Sequence, residues 1–191
     1  RAGPILAAER TALNFLQHLS GIATLTRKFV ARVRPYRVAI LDTRKTLPGM
    51  RTLEKYAVRI GGGKNHRMNL ADGILIKDNH IAVAGGIKKI PPRGEGAFSK
   101  IQIEVKSLRE LRRAIRMGFR SLLLDNMSPV RLRRAMRLAR KLAGHHVILE
   151  ASGGITLKNV RAVARTGVDR ISIGALTHSA PAVDISLEIV V

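Results

Sequence analysis

Cysteine is absent from the chain, so neither a disulfide nor a thiolate metal site can hold it together. Aromatic residues make up only 3% of it, and the core must be filled by Ile, Leu, Val and Ala instead. Branched aliphatics of that kind suit parallel strands covered on both faces. No run is long and apolar enough to span a bilayer. The stretch Arg1 to Arg10 lacks the unbroken apolar segment of a signal peptide. A soluble, cytoplasmic protein with no membrane association is the expectation. Acidic residues are few as well: 13 Asp and Glu stand against 35 Lys and Arg, a net charge of +22. Such a surface attracts anions, whether nucleic acid, phosphorylated substrates or acidic lipid headgroups. What is plentiful is apolar, 46% of 191 residues, enough for one sizeable core and a single domain over 1–191.

Much of the positive charge falls at helical spacing. Arg109, Arg112, Arg113 and Arg116 oppose Leu108, Leu111 and Ile115, and Arg133, Arg137, Arg140 and Lys141 form a second set. Both read as solvated helix faces, with nonspecific nucleic-acid binding at low salt as a by-product. An amphipathic helix is predicted from Ile5 to Val33, with an interruption at Gly21. Strands and helices then alternate. Val38 to Leu41, Ile74 to Ile76, Ile101 to Val105, Ser121 to Leu124, Val147 to Leu149 and Ile171 to Ile173 read as strands. Met50 to Ile60, Ile81 to Ile90, a segment capped by Ser107, another opened by Ser128-Pro129, and Thr156 to Arg165 read as helices. Pro91-Pro92 ends one of them, and Arg93 to Ser99 reads as a polar loop.

Repeated strand–helix units imply a parallel sheet. Nearly every strand ends in a polar or glycine residue: Asp42-Thr-Arg-Lys45, Lys77-Asp-Asn-His80, Glu104, Asp125-Asn126, Glu150-Ala-Ser-Gly-Gly154 and Gly174-Ala175. In a (β/α) barrel such ends converge on one mouth, where active sites sit. An open doubly wound sheet would spread them along an edge, and no G-x-G-x-x-G follows the first strand. The expectation is an irregular or incomplete TIM-like α/β barrel preceded by an N-terminal helix.

That mouth would hold cations from Arg44, Lys45, His66, Arg67 and Lys77. Arginine supplies a fork that grips a carboxylate, and lysine a point charge. Glu104 and Asp125 end adjacent apolar strands; each should meet a cation, a metal or hydroxyls, or else a salt bridge to Lys77 or a neighbour. Ser152-Gly-Gly154 and Gly174-Ala175 follow late strands, where backbone N–H groups near a helix start can cradle a phosphate; the alternative is two tight turns that need φ > 0. His18 reads as packed or capping, and His145-His146 as a surface pair.

Eight strings carry a resemblance: Ala8-Glu-Arg-Thr-Ala-Leu-Asn14, His18-Leu-Ser-Gly-Ile-Ala-Thr24, Leu41-Asp-Thr-Arg-Lys-Thr46, Gly61-Gly-Gly-Lys-Asn-His-Arg67, Ile76-Lys-Asp-Asn-His80, Leu124-Asp-Asn126, Glu150-Ala-Ser-Gly-Gly154 and Gly174-Ala-Leu-Thr-His-Ser179. In this order, almost end to end, the chain resembles the quinolinate phosphoribosyltransferases. The resemblance implies an incomplete barrel whose mouth is closed by the partner in a homodimer or higher homo-oligomer. It implies transfer of phosphoribose from phosphoribosyl pyrophosphate, with Mg²⁺, to quinolinate, giving nicotinate mononucleotide, CO₂ and pyrophosphate for NAD synthesis. By motif, Arg44, His66, Arg67 and Lys77 would hold quinolinate, and Arg10 would enter the partner's site. Lys45 would reach quinolinate or the donor. Glu104 and Asp125 would bind ribose hydroxyls and Mg²⁺, mostly through substrate or water. Ser152, Gly153, Gly154, Gly174 and Ala175 would cradle the 5′-phosphate. Lys45, Lys77, Glu104 and Asp125 would form the catalytic set. The family's N-terminal sandwich domain is not seen. Gln102 stands where an acidic residue is common, and Pro91 to Lys100 is shorter and more polar than the family's helix. Two other functions fit the same residues: a related barrel for another pyridine carboxylate, or a catalytically weak, truncated basic barrel that binds nucleic acid nonspecifically.

Overall fold

A computed structural model describes residues 2–90 and 101–190. The polar loop expected over Arg93 to Ser99, and the break at Pro91-Pro92, lie outside the described residues.

Helix α1 (Gly3–Val33) is one unbroken helix. Its predicted interruption at Gly21 does not occur. Gly21 serves close approach instead: a Cβ there would collide with the Pro181 carbonyl. The end of the chain crosses α1 at this point, with Val183 N donating to Gln17 O at 3.1 Å and Gln17 Nε2 donating to Ile185 O at 2.8 Å.

Six strands follow: β1 (Ala39–Leu41), β2 (Leu75–Ile76), β3 (Gln102–Val105), β4 (Ser121–Asp125), β5 (Ile148–Ser152) and β6 (Arg170–Ser172). All pair parallel in the order β1-β6-β5-β4-β3-β2. Strands β2 to β6 stand side by side in chain order, and β6 pairs with β1. On the free edge of β1, Lys64 bridges Leu41 in parallel. Among the described residues no pairing joins β1 to β2.

Alternation in the strands makes two faces. Ile103, Val105, Leu122, Leu124, Leu149 and Ala151 belong to the buried apolar core. Between them, Glu104, Leu123, Asp125, Glu150 and Ser152 face a cavity. Covering one Leu or Ile fully stabilises by about 1.5–3 kcal/mol, so the first set fixes the register of the second.

The helices are α2 (Arg51–Ile60), α3 (Asp78–Val83), α4 (Leu108–Arg116), α5 (Pro129–Ala143), α6 (Val160–Ala164) and α7 (Ala175–His178). Helix α3 begins before the predicted Ile81, and Gly85 and Gly86, at φ +74 and +116, stop it well short of Ile90. Helix α6 is shorter than predicted because Thr156 to Asn159 forms a turn, with Thr156 N bonded to Asn159 Oδ1 at 2.8 Å. Ser107 and Ser128 cap α4 and α5 as expected, accepting from Glu110 N and Arg131 N. Arg140 departs from its predicted solvated face. It grips Asp169 with Nη2 at 2.9 and 3.2 Å, while Nη1 donates to Val147 O at 2.7 Å. The other basic residues of both sets are exposed except Arg113, which is half-buried. Among the described residues no helix is long and apolar enough to cross a membrane.

Candidate active site

A cavity of about 900 Å³ opens at the C-terminal ends of the strands. Arg44, Lys45, His66, Arg67, Lys77, Glu104, Asp125, Ser152, Gly153, Gly154, Gly174 and Ala175 all line it. The sequence therefore placed its cations, acids and glycine turns in one space. Arg10 is the exception: it is exposed on α1 and does not line the cavity.

The cationic wall comes from the segments after β1 and before β2. Arg44 is half-buried, and its buried Nε has no hydrogen-bond partner among the described residues. Arg67 donates from Nη1 to Gly73 O at 2.9 Å. Its pKa is lowered, first by burial and then by the charge of Arg44. Two guanidiniums that repel each other, one with an unanswered N–H, make a wall suited to an anion with more than one oxygen.

His66 stands behind them with both ring nitrogens engaged. Nδ1 accepts from Arg67 N at 2.8 Å, so the proton of the neutral ring lies on Nε2. Nε2 meets Gln102 Oε1 at 3.1 Å and Glu150 Oε1 at 3.4 Å. Gln102 Nε2 in turn donates to Glu150 Oε2 at 3.0 Å. Burial pushes the Glu150 carboxyl up, but the adjacent His66 ring and the hydrogen bond from Gln102 outweigh it and leave the pKa below the ordinary value. Glu150 is thus an anion in the cavity floor. It was visible only as part of a strand-end string, and its role was missed; a lone acid inside an apolar strand was the available signal. Gln102 had been noted only as a departure.

The acidic wall is Glu104 on β3 and Asp125 on β4, neighbouring strands. The salt bridge to Lys77 does not form. Among the described residues neither carboxylate has an ion-pair partner within 4 Å. The Glu104 pKa is raised, first by burial and next by the charge of Asp125. Outside the cavity lining, Lys106 pairs with exposed Asp78 at 2.7 Å, and that contact lowers the Asp78 pKa. No group of three or more His, Asp or Glu able to hold a metal occurs among the described residues.

The glycines at the third wall have different reasons. Gly153 and Gly154 sit at φ +91 and +63, and a Cβ on Gly153 would overlap the Asn126 side chain. Gly174 has an ordinary φ of -66; it is small because His178 and the Lys45 stem press against it. The Ser152 to Gly154 turn lies several residues before α6 starts at Val160, so its N–H groups do not open that helix directly. Asn126 and His178 also line the cavity and were not singled out.

Comparison with known proteins gives consistent results. A family model described as quinolinate phosphoribosyl transferase, C-terminal domain, matches residues 22–188. A probable nicotinate-nucleotide pyrophosphorylase (carboxylating) of Bacillus subtilis is 46% identical over 191 residues, covering 98% of this chain and 65% of that protein. A nicotinate-nucleotide pyrophosphorylase (carboxylating) of Mycobacterium leprae is 45% identical, with 97% and 66% covered. The solved nicotinate-nucleotide pyrophosphorylase of Francisella tularensis superposes at a TM-score of 0.84 with 46% identity, over 95% of this chain and 64% of that one. The chain spans about two thirds of the length of these relatives.

Proposed function

The chain belongs to the quinolinate phosphoribosyl transferase family, in the part described as its C-terminal domain, and from that premise we propose that its cavity joins quinolinate to phosphoribosyl pyrophosphate. The observation that carries the proposal is the opposition of walls in one space. Arg44 and Arg67 stand unneutralised on one side, and Glu104 and Asp125 unneutralised on the other. A dicarboxylate answers the first wall, and a sugar carbon that turns cationic answers the second. We read the six-stranded sheet as an incomplete barrel, since its strand ends converge on this mouth as barrel strands do.

In this reaction the pyridine nitrogen forms a bond to the anomeric carbon. The bond from that carbon to pyrophosphate breaks, and pyrophosphate leaves with the electron pair. The alkylated ring carries positive charge, which draws the electron pair of the adjacent carboxylate bond into the ring as CO₂ departs. A proton from water then fills the vacated carbon. The chain's residues orient and stabilise. Arg44, Arg67 and Lys77 hold the carboxylates, and His66 steadies the Arg67 side through its bond to Arg67 N. Lys45 lies against Gly174 and reaches the phosphate corner built by Ser152, Gly153, Gly154 and Ala175. Burial leaves Glu104 a poorly solvated carboxylate beside Asp125, and positive charge growing on the ribose relieves it. Mg²⁺ suits this chemistry: Glu104 and Asp125 would hold it together with donor or water, and it would supply positive charge to offset that of pyrophosphate.

A homodimer completes the proposal. Ile5, Leu6, Phe15 and Leu16 are exposed on the first half of α1, whereas Ile22, Phe29 and Val33 on the second half are buried. A partner covering that apolar stretch would carry Arg10 toward its own cavity.

The test is incubation of the purified protein with quinolinate, phosphoribosyl pyrophosphate and Mg²⁺. The expected result is nicotinate mononucleotide with one CO₂ per turnover, together with thermal stabilisation by both substrates. Folded protein that yields no product and gains no stability from either would end the proposal. Stabilisation only by a pyridine acid lacking the second carboxylate would transfer the site to another substrate.

A further inference from the structure

The buried pair Asp42 and Lys55 lies outside the cavity lining, yet it holds the segment that carries the cationic wall. Both side chains are fully buried. Lys55 Nζ donates to Asp42 Oδ1 at 2.5 Å and to the His66 carbonyl at 2.9 Å. The same Oδ1 accepts from His66 N at 2.8 Å. Asp42 Oδ2 accepts from Asn65 Nδ2, which also donates to the Lys55 carbonyl at 2.9 Å. The N–H and C=O of His66 are thus both gripped by one ion pair. Lys64, at the start of this segment, is tied to β1 through Lys64 N to Ile40 O at 2.8 Å.

An ion pair of this kind is a poor way to gain stability. Removing two charges from water costs several kcal/mol each, and apolar residues of equal volume often serve as well. Its geometry has a clear consequence, however. With His66 clamped at backbone N and O, its ring is set against Gln102 and Glu150, and Arg67 leaves the clamp in one direction. We propose that Asp42 and Lys55 are positioning residues for the dicarboxylate. They fix the 64–67 segment so that Arg67 meets its anion at the right distance, without touching substrate themselves. The inference rests on the quinolinate site proposed above.

Asp42→Asn combined with Lys55→Met removes both charges and nearly preserves volume, and Asn still offers an oxygen to His66 N. In the full-length protein this pair of substitutions should leave a cooperative melting transition. It should raise the KM for quinolinate about tenfold, since a misplacement near 1 Å far from the chemistry can cost more than that. The KM for phosphoribosyl pyrophosphate should stay within about twofold, because Glu104, Asp125 and the glycine turns do not depend on the clamp. A merely structural pair would lower Tm and leave the ratio of the two KM values alone. A folded double variant with unchanged quinolinate KM, or with both KM values raised equally, overturns the inference. Should the double variant fail to fold, Asn65→Ala removes one arm of the clamp and must raise quinolinate KM about threefold; no change there overturns the inference too. Direct titration of the unsubstituted protein with quinolinate separates the two levels. No binding to it ends the proposed function and this inference together, while normal binding with an unshifted variant ends only the inference.

Discussion

Around Asp42 and Lys55, buried charge is answered atom by atom: carboxylate oxygens meet Lys55, Asn65 and His66, and the ammonium meets a carboxylate and a carbonyl. In the cavity the treatment is reversed. Arg44 keeps a buried N–H without a partner, Arg67 is repelled by Arg44, and Glu104 lies beside Asp125 with no ion-pair partner within 4 Å among the described residues. Since an unpaired buried polar group costs about 1–3 kcal/mol, a fold keeps such groups only where something else repays them. The contrast separates charge answered within the fold from charge left open to the cavity.

The comparison is broken most forcefully from its satisfied side. Lys55→Met alone leaves Asp42 as an unpaired buried anion and should cost about 3–5 kcal/mol, read as a large drop in Tm. A loss below about 1 kcal/mol would mean the pair is not holding the segment.

On the unsatisfied side the outcome should be the opposite. Arg44→Ala should leave Tm unchanged or slightly raised, because it removes a repulsion and an unanswered donor. It should weaken quinolinate binding about 100-fold, the scale of lost charge-assisted bonds. Isothermal titration and a melting curve on the same sample check both halves.

The two cavity glutamates sharpen the contrast by sign. Glu104 has a raised pKa, so its contribution to stability is full in acid below the ordinary glutamate range and is lost as pH rises through its raised value. Glu104→Gln should therefore raise Tm at neutral pH by about 1–3 °C, with the gain vanishing in acid, while kcat falls. Glu150 has a lowered pKa, so its contribution is present above the ordinary range and is lost as pH falls through its lowered value. Glu150→Gln should lower Tm at neutral pH, and the gap should close in acid. Melting curves across that range that moved in the same direction for both variants would remove the distinction.

The smallest effect belongs to a purely local device. Ser107→Ala removes the α4 cap and should cost about 1 kcal/mol without moving either KM, as denaturant unfolding and steady-state kinetics can show.

Much of this molecule was legible in its residues. Short runs of branched aliphatics alternating with helical segments located the strands, serine caps located two helix starts, and the polar strand ends predicted a common mouth. Element ends were less so. Helix α6 lost its first residues to a turn that Asn159 makes with Thr156. Gly21 read as a break because a helix glycine and a glycine under a crossing chain look alike in sequence, and the crossing residue, Pro181, is far along the chain. Arg140 read as solvent-facing because Asp169, which it grips, lies 29 positions away.

What the sequence determined by itself is what local interactions decide: strand and helix positions, the lack of disulfides, the excess of positive charge, and which strand ends are polar. These follow from backbone geometry and side-chain periodicity within a few residues. Only the tertiary structure decided which charges are spent and which are free. That Glu150 is held through Gln102, 48 positions away, and that Asp42 is consumed by Lys55 while Arg44 is left over, depends on contacts between distant segments. The electrostatic cost of each group is set by what surrounds it after folding, and no local pattern contains that.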